Sequence, residues 1–322
     1  MIPKPANARA PRPGCQRWLA LGAFLASSAS AQVATQVTFD ASANVLDPAE
    51  RDEIVSHTAE AMRRWSRLLA IDGPRSIEVR VSITDQATAS AASAVGIPVG
   101  EAEGRQLLEQ SVAYELRTGV DPNGADPDMY LQIGLDYLRN TLWFDPDPGA
   151  RSAPVPSNRT DAMSTFLHEV GHAVAYNGWS DATTGIPPAT LWSTFDRWMI
   201  PGSPTLFSGA NAVAAWGVAP DLTTGNNKHW GNGTAIAAPR VEWQPARPVE
   251  WRNGLAVPPL APAPPSMSPA VAGIAAQDSL ILQLMNGVVF YSGHRYDISP
   301  LDVAVLRDVG LPLDALFANG FD

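Results

Sequence analysis

Apolar positions along the chain fall into a few runs of clear period. Ile77, Val79, Val81 and Ile83 alternate with Glu78, Arg80, Ser82 and Thr84, the period-two pattern of a half-buried strand. Gln36-Val37-Thr38-Phe39 and Met129-Tyr130-Leu131-Gln132-Ile133 read as two more strands. Ile54, Met62, Trp65 and Leu69 recur at helical spacing behind Asp47-Pro48-Ala49-Glu50. That start has Asp at the N-cap, Pro at N1 and Glu at N3, and Asp72-Gly73-Pro74 supplies the stop. A second helix is marked by Met163, Phe166, Leu167, Val170 and Val174 on one face. Asn158 or Thr160 is placed to cap it, Asp161 suits its first turn, and Asn177-Gly178 ends it, with Gly178 as a left-handed cap. Leu301, Val305, Leu306 and Val309, behind a capping Ser299, predict a third helix over 300–309.

The intervening stretches are less regular. Residues 85–100 are small and read as loop, 103–118 as weakly helical, Asp121-Pro122-Asn123-Gly124 as a turn, and 145–159 as a Pro-rich loop. Residues 180–235 are rich in Gly, Thr, Asn and Trp and predict only a short helix near Thr190–Trp198. Residues 239–269 hold nine prolines without periodicity, which predicts an extended insertion or flexible loop outside the core. No internal repeat is found. The mixture predicts an α+β body with a loop-rich C-terminal part.

Composition adds an address. Lys4, Arg9, Arg12 and Arg17 precede the short apolar run Trp18–Ala26, and Ala29-Ser30-Ala31 follows it. This is the layout of a secretory signal peptide cut after Ala31, and the run is far short of the ~20 apolar residues a membrane span needs. The expected location is therefore secreted, periplasmic or cell-surface. Removing these residues takes away four positive charges, so the net −10 becomes −14, and it removes Cys15, the only cysteine. A chain so acidic is expected to avoid nucleic acid and anionic membrane surfaces. Without cysteine, a metal must be held by His, Asp or Glu.

His168-Glu169-Val170-Gly171-His172 lies within the second helix. Positions i and i+4 share a helix face, so both imidazoles can turn to one metal ion while Glu169 stands beside them as a general base. With five His and eleven Glu in the chain, this pattern arises by chance in roughly 0.3% of such sequences, so zinc binding outweighs a merely packed pair of histidines. Zinc needs a third protein ligand. His57 lies on a mostly polar turn of the first helix and reads as a surface residue. His229, His294, Asp181, Asp196, Glu242 and Glu250 remain open on residue type alone.

Residues about 120–310 carry a further pattern: Trp143-Phe144-Asp145-Pro146-Asp147-Pro148, Thr160-Asp161-Ala162, the HExxH helix, Asn177-Gly178-Trp179, Phe207-Ser208-Gly209-Ala210-Asn211-Ala212, His229-Trp230, Leu284-Met285-Asn286-Gly287 and Ile298-Ser299-Pro300-Leu301-Asp302. In this order they resemble bacterial secreted zincins related to the leishmanolysin-like metzincins. The resemblance implies a zincin-like catalytic domain, a twisted mixed sheet packed on helices including the HExxH helix. It implies Zn²⁺ held by His168, His172 and His229, a Met-turn at Met285, and an endopeptidase acting on a protein or peptide substrate. The compact metzincin motif is departed from, since Ala175 and Gly178 stand where it has Gly and His. The implied organisation is a signal peptide (1–31), an N-terminal subdomain (32–178), a C-terminal subdomain (179–315) and a short tail (316–322), which itself resembles terminal tails of some secreted bacterial proteins.

In the expected mechanism Glu169 activates a water for attack on a peptide carbonyl. An edge strand beside the cleft pairs with the extended substrate, and Tyr291 or Tyr296 is available to an oxyanion, although buried or surface tyrosines look the same in sequence. Competing expectations are a non-catalytic zinc-binding secreted or surface module, a zinc amidase acting on a non-protein substrate, and an adhesion protein suggested by the ten Trp and the Pro-rich stretch.

Overall fold

The computed structural model describes Met1 and residues 33–231, 249–267 and 280–317. The signal-peptide run, Glu242 and the last five residues of the tail lie outside the described residues. The described chain is mixed α+β.

The main sheet begins with β1 (Val33–Phe39) and β2 (Arg75–Thr84). It continues with β3 (Ala89–Ser93) and, beyond β4 (Gly96–Ala102) and β5 (Arg105–Gln110), with β6 (Met129–Gly134). β1, β2 and β6 run parallel in the order β1-β2-β6, and β3 lies antiparallel on the far side of β6. The alternation in β2 is realised as written, with Ile77, Val79, Val81 and Ile83 buried. α1 (Pro48–Ser66) starts with a full capping box, Asp47 accepting from the Glu50 N–H and Glu50 from the Asp47 N–H. α2 (Ser111–Thr118) follows β5, and two short parallel strands, β7 (Leu142–Trp143) and β8 (Thr160–Asp161), lead into α3 (Ala162–Val174). α1 packs on β1 and on α3, and α3 packs on β3.

The later chain contributes β9 (Leu191–Ser193), the hairpin β10 (Met199–Ile200) and β11 (Leu206–Phe207), and α4 (Ala210–Trp216). It then adds β12 (Glu250–Arg252), β13 (Leu255–Val257), β14 (Ala261–Pro262), β15 (Ser266–Met267), β16 (Phe290–Tyr291) and α5 (Pro300–Asp308). A second sheet has the order β12-β13-β4-β5-β9, so strands from before and after residue 178 share it. Gly96 is needed there, because a Cβ would come 2.5 Å from the Trp179 ring. α5 has the expected Ser299 cap, reinforced by Asp302 in a second capping box, and packs on α4.

Four expectations are corrected. Residues 85–100 hold β3 and β4, not loop. β3 is Ala-Ser-Ala-Ala-Ser and wholly buried beneath α3, where only small side chains fit, so it lacks the β-branched signal of a strand. Residues 103–118 split into β5 and α2. The expected helix near 190–198 is β9 followed by a 3-10 turn over Asp196–Trp198. The described part of 239–269 belongs to both sheets, since β13 pairs with β4 and β14 with β3.

Glu115 and Asp128 form a buried acidic pair near the start of β6. Each has a carboxylate oxygen without a hydrogen-bond partner among the described residues, and Asp121 brings a third carboxylate close. Burial, with the neighbouring acids, raises Glu115 to about 7 and Asp128 to about 8. The folded chain therefore retains protons that the unfolded chain releases near the ordinary carboxyl range. Stability should fall as pH rises from there to about 8, then level off. Asp128→Asn, which cannot ionise, is expected to raise Tm by a few degrees at alkaline pH and to change little in acid, read by thermal unfolding across pH. An equal shift at both ends would contradict the burial argument.

Candidate metal centre

α3 is buried along its whole length. Its N-cap is Asp161, which accepts from the Ser164 N–H at 3.0 Å, rather than Asn158 or Thr160. Arg151 and Arg295 pair with the same carboxylate at 2.6 and 3.3 Å, which compensates its charge in the interior. The Trp65 indole donates to the Leu167 carbonyl at 2.8 Å and fixes α1 against the helix. Met285 lies directly against Gly171, where a Cβ would stand 2.6 Å from its sulfur. The glycine inside the motif is thus a packing requirement set by a residue more than a hundred positions away.

The helix ends at Ala175, and the expected left-handed cap at Gly178 is not formed, since Gly178 has no positive φ. Gly178 is small for another reason: a Cβ there would collide with the Asp196 carboxylate. Asp196 accepts from the N–H groups of Trp179 (2.6 Å) and Ser180 (3.0 Å) and pairs with Lys228 at 2.6 Å. One buried carboxylate therefore ties the segment leaving α3 to the segment that carries His229. The Trp230 N–H donates to the Met285 carbonyl at 2.8 Å, which ties that segment to the turn below the helix.

The result is a triangle of imidazoles with no exposed surface. The Nε2 atoms of His168, His172 and His229 stand 2.9–3.1 Å apart. Each Nδ1 faces a backbone carbonyl: Leu284 for His168 (2.8 Å), Tyr176 for His172 (2.8 Å) and Asn226 for His229 (3.2 Å). A carbonyl only accepts, so each Nδ1 carries the proton and each Nε2 presents a lone pair. Burial depresses all three rings, His168 to about 4 and the other two well below the usual range. Three unprotonated nitrogens converging on one point repel each other unless a cation lies between them. Tetrahedral zinc at ~2.0–2.1 Å from nitrogen holds its ligand atoms about 3.4 Å apart, so a shift of a few tenths of an ångström accommodates it. The donor set fits a metal ion.

Glu169 is 1% exposed, and neither carboxylate oxygen has a hydrogen-bond partner among the described residues. Burial pushes its pKa well up, opposed in part by the nearby N–H groups of Ala263 and Ala91. Tyr137 shares this environment: its hydroxyl is 3.3 Å from the Thr165 hydroxyl, and burial, with a smaller contribution from the Glu169 charge, raises its pKa. No motif or periodic position marks Tyr137 in the sequence.

The other candidates are elsewhere. His57 is buried, not at the surface, its ring 4.9 Å from that of Phe144. The helix turn that carries it looks polar, but Phe144 and Phe166 close over it. His294 is exposed beside Tyr296. Asp181 caps the Thr183 and Thr184 N–H groups, Asp196 holds Lys228, and Glu250 is exposed on β12. The Tyr296 hydroxyl accepts from the Tyr291 N–H at 3.2 Å, and its ring stacks on Phe290. Compared with known families, curated proteins and solved structures, the chain finds no match.

Proposed function

We propose that the chain is an exported zinc-dependent endopeptidase of zincin type, related to the leishmanolysin-like metzincins. The observation that carries this reading is the convergence of three lone-pair-bearing Nε2 atoms, two of them from α3, where Glu169, next to His168, holds a buried carboxylate with no hydrogen-bond partner among the described residues. His168, His172 and His229 hold the ion, and their Nδ1 hydrogen bonds fix each ring in the tautomer that ligation needs. Bound zinc supplies Lewis acidity, which lowers the pKa of water towards ~7 and polarises a carbonyl. Glu169 accepts the proton of the attacking water and passes it to the leaving amine. The edge of β3 that β14 now takes is where an extended substrate would pair.

Full burial of the centre favours a second reading, a zinc site that only stabilises the fold. Against it, a three-histidine set leaves a coordination position open, and a structural site has no use for an unpaired carboxylate beside it. Metal removal tests the proposal. Dialysis against a chelator should abolish casein cleavage, and one equivalent of zinc should restore it. Zinc-loaded protein that leaves casein intact, including variants with an opened cleft, would overturn the peptidase reading and leave the structural one.

A further inference from the structure

A peptidase must admit a chain to its metal, yet His168, His172 and His229 have no exposed surface. The segment that covers them can be traced. β13 pairs with β4, and from there Val257 accepts from the Trp179 indole at 3.0 Å and Pro259 from the Asn177 amide at 2.9 Å. β14 then lies antiparallel on β3, with Ala261 opposite Ala91 and Pro262 opposite Ser90. The Ala263 N–H donates to the Ala89 carbonyl at 2.8 Å. Pro265 accepts from the Phe290 N–H at 3.0 Å, and β15 pairs with β16. The segment completes the outer edge of the main sheet, where β3 would otherwise offer its backbone to an extended peptide.

β14 lies against both β3 and α3, so Pro262 and Ala263 run past the helix that carries His168, Glu169 and His172. Ala263 commits its N–H to Ala89, so β14 is held to β3 as a strand beside the centre. Five of the ten residues 256–265 are proline. Prolines fix φ near −65°, so the segment fills the groove as a stiff, already extended chain. Over Val257–Leu260 it borders a cavity of about 300 Å³ together with Trp179 and Lys228. There the Trp179 and Asn177 hydrogen bonds and the pairing of Val257 with Glu250 hold it.

We propose that residues 256–265 are a built-in pseudosubstrate, which occupies the groove along β3, holds the centre at a low basal activity, and shows that this groove takes an extended, proline-tolerant chain antiparallel to β3. The inference rests on the peptidase reading, and its test separates the two. Zinc-loaded wild-type protein, Trp179→Phe and Ala263→Pro are compared for the rate of zinc loss to a chelator and for casein cleavage. Trp179→Phe keeps the aromatic packing and loses one bond to the strand, whereas Ala263→Pro removes the N–H that bonds Ala89. Both rates should rise several-fold in the first and at least about tenfold in the second. A synthetic peptide of residues 255–266 should reverse both effects. Wild-type rates of zinc loss in the folded variants would overturn the proposal, and Trp179→Phe decides alone if Ala263→Pro does not fold. Casein cleavage equal in all three proteins would overturn the pseudosubstrate while keeping the peptidase. Faster zinc loss with casein intact throughout would overturn the peptidase reading, and the pseudosubstrate with it.

Discussion

Exchanging Glu169 for Gln is expected to leave zinc content unchanged and to lower casein cleavage by about 10²–10⁴-fold, the range that a positioned general base contributes. The metal should stay because the three Nε2 atoms and their carbonyl partners do not involve residue 169. Glutamine has nearly the shape of glutamate but cannot take a proton from water. Thermal stability should not fall, since the native carboxylate is buried without a hydrogen-bond partner among the described residues and a neutral amide is easier to bury there. The measurement pairs metal analysis with cleavage rates in the Trp179→Phe background, where the covering strand is loosened. Cleavage that persists undiminished in the Gln variant would remove Glu169 from the chemistry. Loss of zinc would mean that the carboxylate supports the ligands instead.

The second large effect is expected at His229. His229→Ala removes one of three converging nitrogens and leaves His168 and His172 on one helix face. Losing an outer partner of a ligand typically costs about 10–100-fold in metal affinity, and losing the ligand itself should cost more. The metal-free protein should tolerate the change, because three buried lone pairs 2.9–3.1 Å apart are an unfavourable arrangement without a cation. The most direct reading is the rise in Tm on adding zinc, which follows from binding to the folded state alone. It should be large in the wild type, nearly absent in His229→Ala and unchanged in His294→Ala, whose imidazole is exposed away from the triangle. A wild-type zinc shift in His229→Ala would disprove its role as a ligand.

These two predictions differ in how far the sequence foretells them. His168, Glu169 and His172 are related by helical spacing, and the helix that carries them has its apolar face written in the same period. The Asp47 start of α1, the alternation of β2 and the Ser299 start of α5 are legible for the same reason. Each depends on interactions between residues a few positions apart, so the chain records them locally.

His229 has no such record. It lies 57 residues beyond His172 in an aperiodic stretch, and only the order of short motifs singles it out by resemblance. Its position follows from the Asp196–Lys228 pair, from the Trp230 bond to Met285 and from a glycine at 178 that admits Asp196. β3 carries no strand signal because the space beneath α3 selects small residues over strand formers. The aperiodic Pro-rich run predicts a segment outside the core, yet it pairs with β3, because an edge position does not need every N–H. Spacing alone determined two histidines and a neighbouring glutamate on one helix. The third histidine, the sulfur beneath Gly171 and the strand laid on β3 were decided by tertiary structure, since they depend on which distant segments meet, and local periodicity carries no information about that.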